Sequence, residues 1–468
     1  MSALEWLGGP MKMTLRVIAG PHKGRKFAFD GHDTFLVGRS KRAHFRLATK
    51  DKYFSRIHFM VEVNPPHCRL MDMGSRNGTY VNDQKVSRAD LRAGDRIRAG
   101  RTILVLSMKK SRSAVAPVAK PYRAPPARAA ASRATPSGLE TTVKWCRACR
   151  GSISTARDGR EDHDRRKPAS VTSVFCALRE VCPVCQEKIR HHLQIIPGYQ
   201  IIQELGRGSM GVVYQALRSH DGSVVALKTI TPAVAPAPAD IGRFQREASI
   251  LYELDHPHIV ALRDTGEANG RLFFAMDYVF GTDAGKLLKK HGPMSVGRAV
   301  GLICQLLQAL DYAHAKGFVH RDIKPSNMLV RQDNDGETAL LADFGLARVY
   351  QESKLSGLTL LGDIGGTVPF MAPEQITDFR NVQPAVDQYG AGATLYKLLT
   401  GRFIYDFPAG DEMRLLMILQ DDPVPIQTRR PDIPNELAGV IHRSLERDPE
   451  DRFADVRALR RALVRFCS

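Results

Sequence analysis

Between Lys109 and Glu140 the chain turns abruptly to Ala, Pro, Ser and Arg, with Tyr122 its single aromatic residue and no apolar periodicity. Such a stretch cannot bury a face against anything, so it reads as a tether and forces the remainder into separately packed modules. At about 150 residues per domain, a length of 468 residues points to roughly three. A composition of 43% hydrophobic and 25% charged residues supports packed cores and excludes a fibrous or wholly disordered chain. The formal charge is +19. Part of it sits on the tether at Lys109, Lys110, Arg112, Lys120, Arg123, Arg128 and Arg133. Base-stacking side chains are nearly absent there, which argues for a solvated tether over a nucleic-acid binder.

The longest mainly apolar runs, such as 299–309, fall short of the roughly 18 residues a membrane span needs. Residues 1–13 lack a charged start followed by an apolar block, so no secretory signal is read there and a cytoplasmic setting is expected. Eight cysteines are too few for a disulfide scaffold in a chain of this size. Cys68, Cys304 and Cys467 stand apart in sequence, while the other five cluster.

From Thr14 to Leu106, short alternating runs such as 14–18 and 59–63 are separated by Gly, Asp, Asn and Pro, the pattern of a β-sandwich or barrel. After Pro197-Gly198, strand-like runs surround one helical stretch up to about Asp277. Beyond it, amphipathic helices dominate, for example 296–316 and 449–466. A small mixed lobe followed by a larger helical one is expected.

Gly206-Arg-Gly208-Ser-Met-Gly211 lies between two β-like runs, 200–205 and 212–216. Glycine lets backbone N–H groups approach phosphate oxygens where a Cβ would clash. Because the loop joins two strands instead of opening a helix, a dinucleotide-binding reading is disfavoured. Val225-Ala-Leu-Lys228 follows, and Glu247 lies in the helical stretch 241–254, where it can hold Lys228 over α- and β-phosphates. Next come His320-Arg-Asp322-Ile-Lys324-Pro-Ser-Asn327 and Asp343-Phe-Gly345. Asn327 and Asp343 offer the hard oxygens a metal-bound triphosphate needs, Asp322 can accept a hydroxyl proton, and Lys324 can neutralise a transferring phosphoryl group. Taken singly, each has a bland alternative as a hairpin glycine, an edge-strand lysine or a solvated carboxylate. Met371-Ala-Pro-Glu374 and the distant Arg452 suggest a purely structural buried ion pair.

Over 199–466 the sequence resembles the eukaryotic-type serine/threonine protein kinases, with the signatures in that family's order. The resemblance implies an α+β bilobal fold, ATP and Mg²⁺ as cofactors, and protein substrates. Gly206, Gly208, Gly211 and Lys228 would bind ATP, Glu247 would orient Lys228, Asp322 would be the base, and Asn327 and Asp343 would hold Mg²⁺. Asp277-Tyr-Val279 would be the hinge, with Met276 at the back of the adenine pocket. Lys324 and Gly366-Thr367 fit the serine/threonine branch, with Thr367 bonded to Asp322 and Lys324. Ser209-Met210 replaces the commoner aromatic, and Phe370 the commoner Tyr. Neither change removes a group needed for transfer. The competing reading is a signalling adaptor whose kinase-like domain only scaffolds.

In the β-rich region, Gly38-Arg39, Ser55-Arg56-Ile-His58 and Asp72-Met-Gly-Ser75-Arg76-Asn77-Gly78-Thr79 are individually ordinary turn residues, Asn77-Gly78 being a common hairpin dipeptide. Together, across 13–108, they resemble the forkhead-associated (FHA) domain, a β-sandwich whose loops bind phosphothreonine peptides. A phosphate dianion wants a guanidinium and short hydroxyl donors converging from several loops. By the resemblance, Arg39 and Ser55 would hold the phosphate, Arg56 and Arg76 would add charge, and Asn77 would bond the peptide backbone. His58 is expected to brace the loops.

Cys146-Arg-Ala-Cys149 and Cys182-Pro-Val-Cys185 flank 32 residues. Two such knuckles can supply four thiolates to one structural Zn²⁺, so 141–192 is expected to be a small zinc-ribbon-like segment. Redox dithiols or reduced thiols are the alternatives, with Cys176 and His163 as substitute ligands. Between Asp343 and Glu374, Thr359 is the expected phosphorylation site. Phosphothreonine there is a candidate ligand for Arg39 and Ser55 within one chain or across a transient dimer, since the tether reaches about 30 Å.

Overall fold

The computed structural model describes residues 11–30, 33–47, 51–64, 67–110, 144–150, 152–153, 181–191, 195–208, 211–230, 248, 250–334, 336–344, 367–377, 382–408 and 411–467. Glu247, Thr359, Cys176, His163, Ser209-Met210 and the tether beyond Lys110 lie outside the described residues. These residues separate into two compact units: 110–203 with 216–224, and 11–109 with 204–215 and 225–468.

The amino-terminal part is a two-sheet β-sandwich. One sheet runs in the order Lys26–Asp30, Met11–Ala19, Thr102–Lys110, Arg96–Ala99, Thr79–Val81 and Gln84–Val86. The other runs Phe45–Arg46, Asp33–Gly38, Phe59–Asn64, His67–Asp72 and Arg88–Asp90. Alternation does the building: Met13, Leu15 and Val17 point inward from one strand and Phe59, Val61 and Val63 from a strand of the opposing sheet, all buried. The tight hairpin turn is made by Asn82-Asp83, both at positive φ (49° and 66°), between Thr79–Val81 and Gln84–Val86. Asn77-Gly78 serves the preceding loop instead.

The second sheet also carries apolar residues on its other face, beside Thr34, Glu62 and Arg69. Leu36, Met60 and Met71 lie on the strands' other face, and with Ile57 and Met73 they join one buried cluster with the helical lobe. Strand Asp33–Gly38 rests on helix Pro373–Thr377. Arg42 donates to Leu419 O at 3.0 Å, with Asp448 at 3.4 Å. This docking was invisible in the sequence, because a strand buried on both faces reads the same whatever covers it.

The small lobe is a five-stranded sheet in the order Tyr199–Gly208, Gly211–Arg218, Val224–Ile230, Arg271–Asp277 and Leu262–Ala268. The helical lobe centres on Val296–Ala315 and Ala385–Thr400. Ser295 caps the first by accepting from Arg298 N, and Lys316 ends it as C-cap. The expected continuous helix over 449–466 is broken into a 3₁₀ turn Pro449–Asp451, helix Val456–Leu463 and a second 3₁₀ turn. Asp455 restarts it by accepting from Ala458 N at 2.6 Å. Residues 250–253 of the expected helix 241–254 form a 3₁₀ turn.

Within the smaller unit, hairpin Lys144–Trp145 with Ser152–Ile153 and helix Pro183–His191 carry the four clustered cysteines. Cys146, Ala148, Val181, Cys185 and Ile189 pack on Ile202 and Leu217. Arg147 also donates to Asp221 O and Gly222 O, at 3.4 and 3.5 Å.

Candidate functional site

The loop carrying Asp322 is held from below by a buried acid. Asp387, 1% exposed on helix Ala385–Thr400, accepts the backbone N–H groups of His320 (2.9 Å) and Arg321 (2.8 Å) and bonds His314 Nε2 at 2.7 Å. Burial pushes this carboxyl up, but the hydrogen bond and charge of His314, with His320, outweigh it and hold Asp387 below the ordinary carboxylate range. These bonds keep Arg321 at φ 69°, in the left-handed region a non-glycine residue rarely adopts. A Cβ on Gly390 would lie 2.8 Å from Ile323 Cβ, so glycine there lets the helix approach the loop.

On this support Asp322, Lys324 and Asn327 form one bonded group. Asn327 Nδ2 donates to Asp322 O and Oδ2, both at 2.9 Å, leaving its Oδ1 as the free-facing oxygen. Lys324 Nζ lies 2.9 Å from Asp322 Oδ2 and donates to Thr367 Oγ1 at 2.7 Å. Asp322 Oδ1 is buried and has no hydrogen-bond partner among the described residues. Thr367 thus meets Lys324, as expected, whereas no bond from it to Asp322 is found among the described residues.

Lys228 Nζ pairs with Asp343 Oδ2 at 2.9 Å. Burial raises Asp343, but Lys228, His320 and Lys324 together hold it below the ordinary carboxylate range. Asp343 sits at φ 60°, and the adjacent Ala342 N donates to Asn327 O at 2.9 Å, so both loops register on one another. Glu247, the expected partner of Lys228, lies outside the described residues. Met276 lines a small cavity with Asp343 and Phe344. The Asp277 carboxylate is taken by Arg263, at 2.5 and 2.6 Å. In the Gly-rich hairpin, a Cβ on Gly211 would sit 2.0 Å from Thr229 O, so that glycine is required by strand packing. Gly206 and Gly208 face open space, so packing does not demand glycine there.

The sandwich loops form a second site. Gly38 lets two loops touch, since a Cβ there would lie 2.1 Å from Arg56 O, and Arg39 N donates to Ser55 O at 3.1 Å. Ser55 Oγ accepts from Arg76 N at 3.2 Å, and Asn77 Nδ2 donates to Tyr53 O at 2.7 Å. Arg56, Arg76 and Asn77 are exposed, and Arg39 Nε is enclosed without a hydrogen-bond partner among the described residues. His58 is buried beneath them, its Nδ1 accepting from Ser55 N (3.0 Å) and its Nε2 bonded to Gly78 O (3.3 Å). It braces the loops as expected. Burial lowers its pKa, partly opposed by the Gly78 bond.

Cys146, Cys149, Cys182 and Cys185 bring their four sulfurs within 4.8 Å of one another. The Cys149 and Cys182 sulfurs are 3.8 Å apart, and Cys182 N donates to Cys146 Sγ at 3.2 Å. Burial raises the Cys146 thiol, but backbone N–H groups of Cys182, Cys149 and Ala148 aimed at the sulfur bring it down to about 7. Cys304 and Cys467, apart in sequence, also meet, with sulfurs 3.6 Å apart.

Sequence reasoning missed Asp387 and His314, which position the Asp322 loop. The available signal was an acid in the mostly apolar stretch Ala385-Val-Asp387-Gln-Tyr-Gly. The expected pair is present: Glu374 and Arg452 meet at 2.6 and 2.8 Å, with Arg452 buried.

Two protein families match stretches of this chain. The protein kinase domain family matches residues 199–463, more than half of the chain, and the FHA domain family matches 35–100. Serine/threonine-protein kinase PknD of Mycobacterium tuberculosis (strain ATCC 25618 / H37Rv) is 38% identical over 255 residues, covering 54% of this chain and 37% of PknD. PknH of Mycobacterium bovis (strain ATCC BAA-935 / AF2122/97) is 38% identical over 256 residues, covering 55% of this chain and 42% of PknH. The crystal structure of the M. tuberculosis PknI kinase domain aligns with a TM-score of 0.45 at 30% identity, over 58% of this chain and 99% of that one. The chain thus spans well under half the length of the curated relatives it matches. On the family match, and with the Asp322 and Asp343 loops assembled at one place, the chain belongs to the protein kinase family and carries an FHA domain ahead of its catalytic domain.

Proposed function

We propose that this chain is an active serine/threonine protein kinase of the cytoplasm, using Mg²⁺-ATP to phosphorylate protein hydroxyls. The observation that carries the reading is Asp322 Oδ1, an enclosed carboxylate oxygen with no partner among the described residues while Oδ2 is held by Asn327 and Lys324. In that role Oδ1 takes the proton of the incoming hydroxyl, and Lys324 balances charge on the transferring group. Mg²⁺, when bound, would neutralise the charge that develops on the phosphates. Asn327 Oδ1 and the Asp343 carboxylate are the hard oxygen donors that suit it. Lys228 binds the α- and β-phosphates, with Glu247 orienting it. Gly206, Gly208 and Gly211 cover the phosphates, and Met276, Asp277 and Val279 frame the adenine. The clearance at Gly206 and Gly208 supports this reading.

The organisation we propose is an FHA domain over 13–108, a tether over 109–140, a zinc-binding segment over 141–192 and a kinase domain over 199–466. Arg39, with its unpartnered Nε, and Ser55 hold phosphothreonine, assisted by Arg56, Arg76 and Asn77. A tetrahedral Zn²⁺ with bonds near 2.3 Å sets its sulfurs about 3.8 Å apart, so the four thiols fit with small adjustments. Thr359 is the proposed activating phosphorylation site, and its phosphothreonine is a ligand for the FHA domain in cis or in trans.

Radiolabelled phosphate transfer from Mg²⁺-ATP to a generic basic protein tests the enzyme against the adaptor. Wild type should incorporate label and Asp322→Asn should not. Equal incorporation by both would sink the enzyme reading.

A further inference from the structure

Phosphopeptide-binding and catalytic sites joined only through a 32-residue tether and the small cysteine-bearing segment after it would act as beads on a string, at any mutual distance that connection allows. The contacts within the larger unit differ from that picture. Leu36, Met60 and Met71 turn from the FHA sheet into the buried cluster of the helical lobe, all at most 2% exposed. Strand Asp33–Gly38, which leads directly into Arg39, lies against helix Pro373–Thr377. From that helix Gln375 Nε2 donates to Arg321 O at 2.8 Å, one residue before Asp322. A continuous set of contacts therefore runs from the Arg39 loop to the catalytic loop.

Two further contacts come from the phosphopeptide loops themselves. Arg42, three residues past Arg39, donates to Leu419 O at the end of helix Asp411–Gln420. Gly74, two residues before Arg76, approaches Met413 and Leu416 so closely that a Cβ would lie 3.0 Å from the Met413 sulfur. Yet Arg56, Arg76 and Asn77 stay exposed and Arg39 Nε has no partner among the described residues. The catalytic domain grips the flanks of the pocket and leaves its mouth open.

Building on the kinase and FHA readings above, we propose that the docked FHA domain selects the substrate: the preferred substrate class is proteins already phosphorylated on a threonine at a set spacing from the acceptor hydroxyl. Docking fixes the distance between the two sites, so a phosphothreonine seated at Arg39 presents the rest of its own chain to Asp322 at high effective concentration. A loose tether favours all spacings weakly, whereas a docked pocket favours one spacing strongly. The contribution is to binding, so it lowers KM and leaves kcat nearly unchanged.

The test uses the full chain and a peptide series with one acceptor serine, carrying phosphothreonine, threonine or aspartate at increasing distances upstream or downstream. Binding of each phosphopeptide is followed separately by fluorescence anisotropy. The expected result is a roughly tenfold or larger fall in KM at one spacing only, for phosphothreonine but not threonine, lost in Arg39→Ala. Arg42→Glu, which alters only the docking rim, should keep phosphopeptide binding and turnover of the unphosphorylated peptide but flatten the spacing dependence. Tight phosphopeptide binding with equal KM across the series would overturn the proposal and leave the kinase and FHA readings standing. Absence of transfer to any peptide, or of phosphopeptide binding, would overturn those readings and this proposal with them. A KM advantage that rises with protein concentration and lacks spacing dependence would assign the pocket to a second copy of the chain and refute substrate selection.

Discussion

Arg452 offers the sharpest test of the energetics. Its side chain is fully buried and closes a bidentate pair with Glu374, whose side chain is 20% exposed. The same guanidinium donates to Ala385 O (2.8 Å), Glu446 O (2.7 Å) and Arg447 O (3.3 Å), and lies over the Tyr389 ring at 5.1 Å. Arg452→Ala leaves a carboxylate and three carbonyls short of donors at once. Breaking a buried pair from one side costs about 3–5 kcal/mol, because the surviving charge remains desolvated. For a domain of this size, a loss of about 4 kcal/mol lowers Tm by on the order of 10 °C. Arg457→Ala is the control: its pair with Asp311 has side chains 59% and 35% exposed and should cost under about 1 kcal/mol. The assay is differential scanning calorimetry of both variants at matched pH and salt, following the transition of the catalytic domain. Indistinguishable transitions in the two variants would refute the argument that this pair holds helix Pro373–Thr377 to the end of the domain. Glu374→Gln, which keeps the acceptor oxygen and removes the charge, should fall between them.

Lys228→Met should abolish phosphoryl transfer while the domain still folds, with its calorimetric transition lowered because Asp343 loses its partner; loss of folding would contradict it. Purified protein should contain about one zinc per chain by atomic emission, and Cys149→Ser should lose most of it, whereas full retention would exclude Cys149 as a ligand. His58 is held neutral in the fold, its Nδ1 accepting from Ser55 N, and its pKa is lowered. The unfolded chain therefore binds the extra proton first, so the FHA domain should be most stable above about pH 6.5 and lose stability as pH falls through that value. A sandwich transition unchanged between about pH 7 and pH 5 would refute that direction.

The grouping of the candidate-site side chains was legible because they are close in sequence and ordered along the chain. Asp322, Lys324 and Asn327 lie within six consecutive positions, so one turn of backbone brings them together, and their bonds to one another follow almost directly. The two C-x-x-C pairs were legible for the same reason, although 32 residues separate them. Asp387 was not: an acid in an apolar helix gains its meaning only when folding places it under His320 and Arg321. Cys304 and Cys467 were likewise separate in sequence and meet only because helix Val456–Leu463 packs across helix Val296–Ala315.

By itself the sequence determined the sandwich, the two-lobed domain and the local polar groups that stand together in the candidate sites, because period-2 and helical patterning, turn residues and local motif spacing act over a few residues. The tertiary structure decided what those elements face. Leu36, Met60 and Met71 have the same apolar character whether they meet a second sheet, solvent or another domain. Hydrophobic burial is non-directional, so the partner is set only when the whole surface finds its complement.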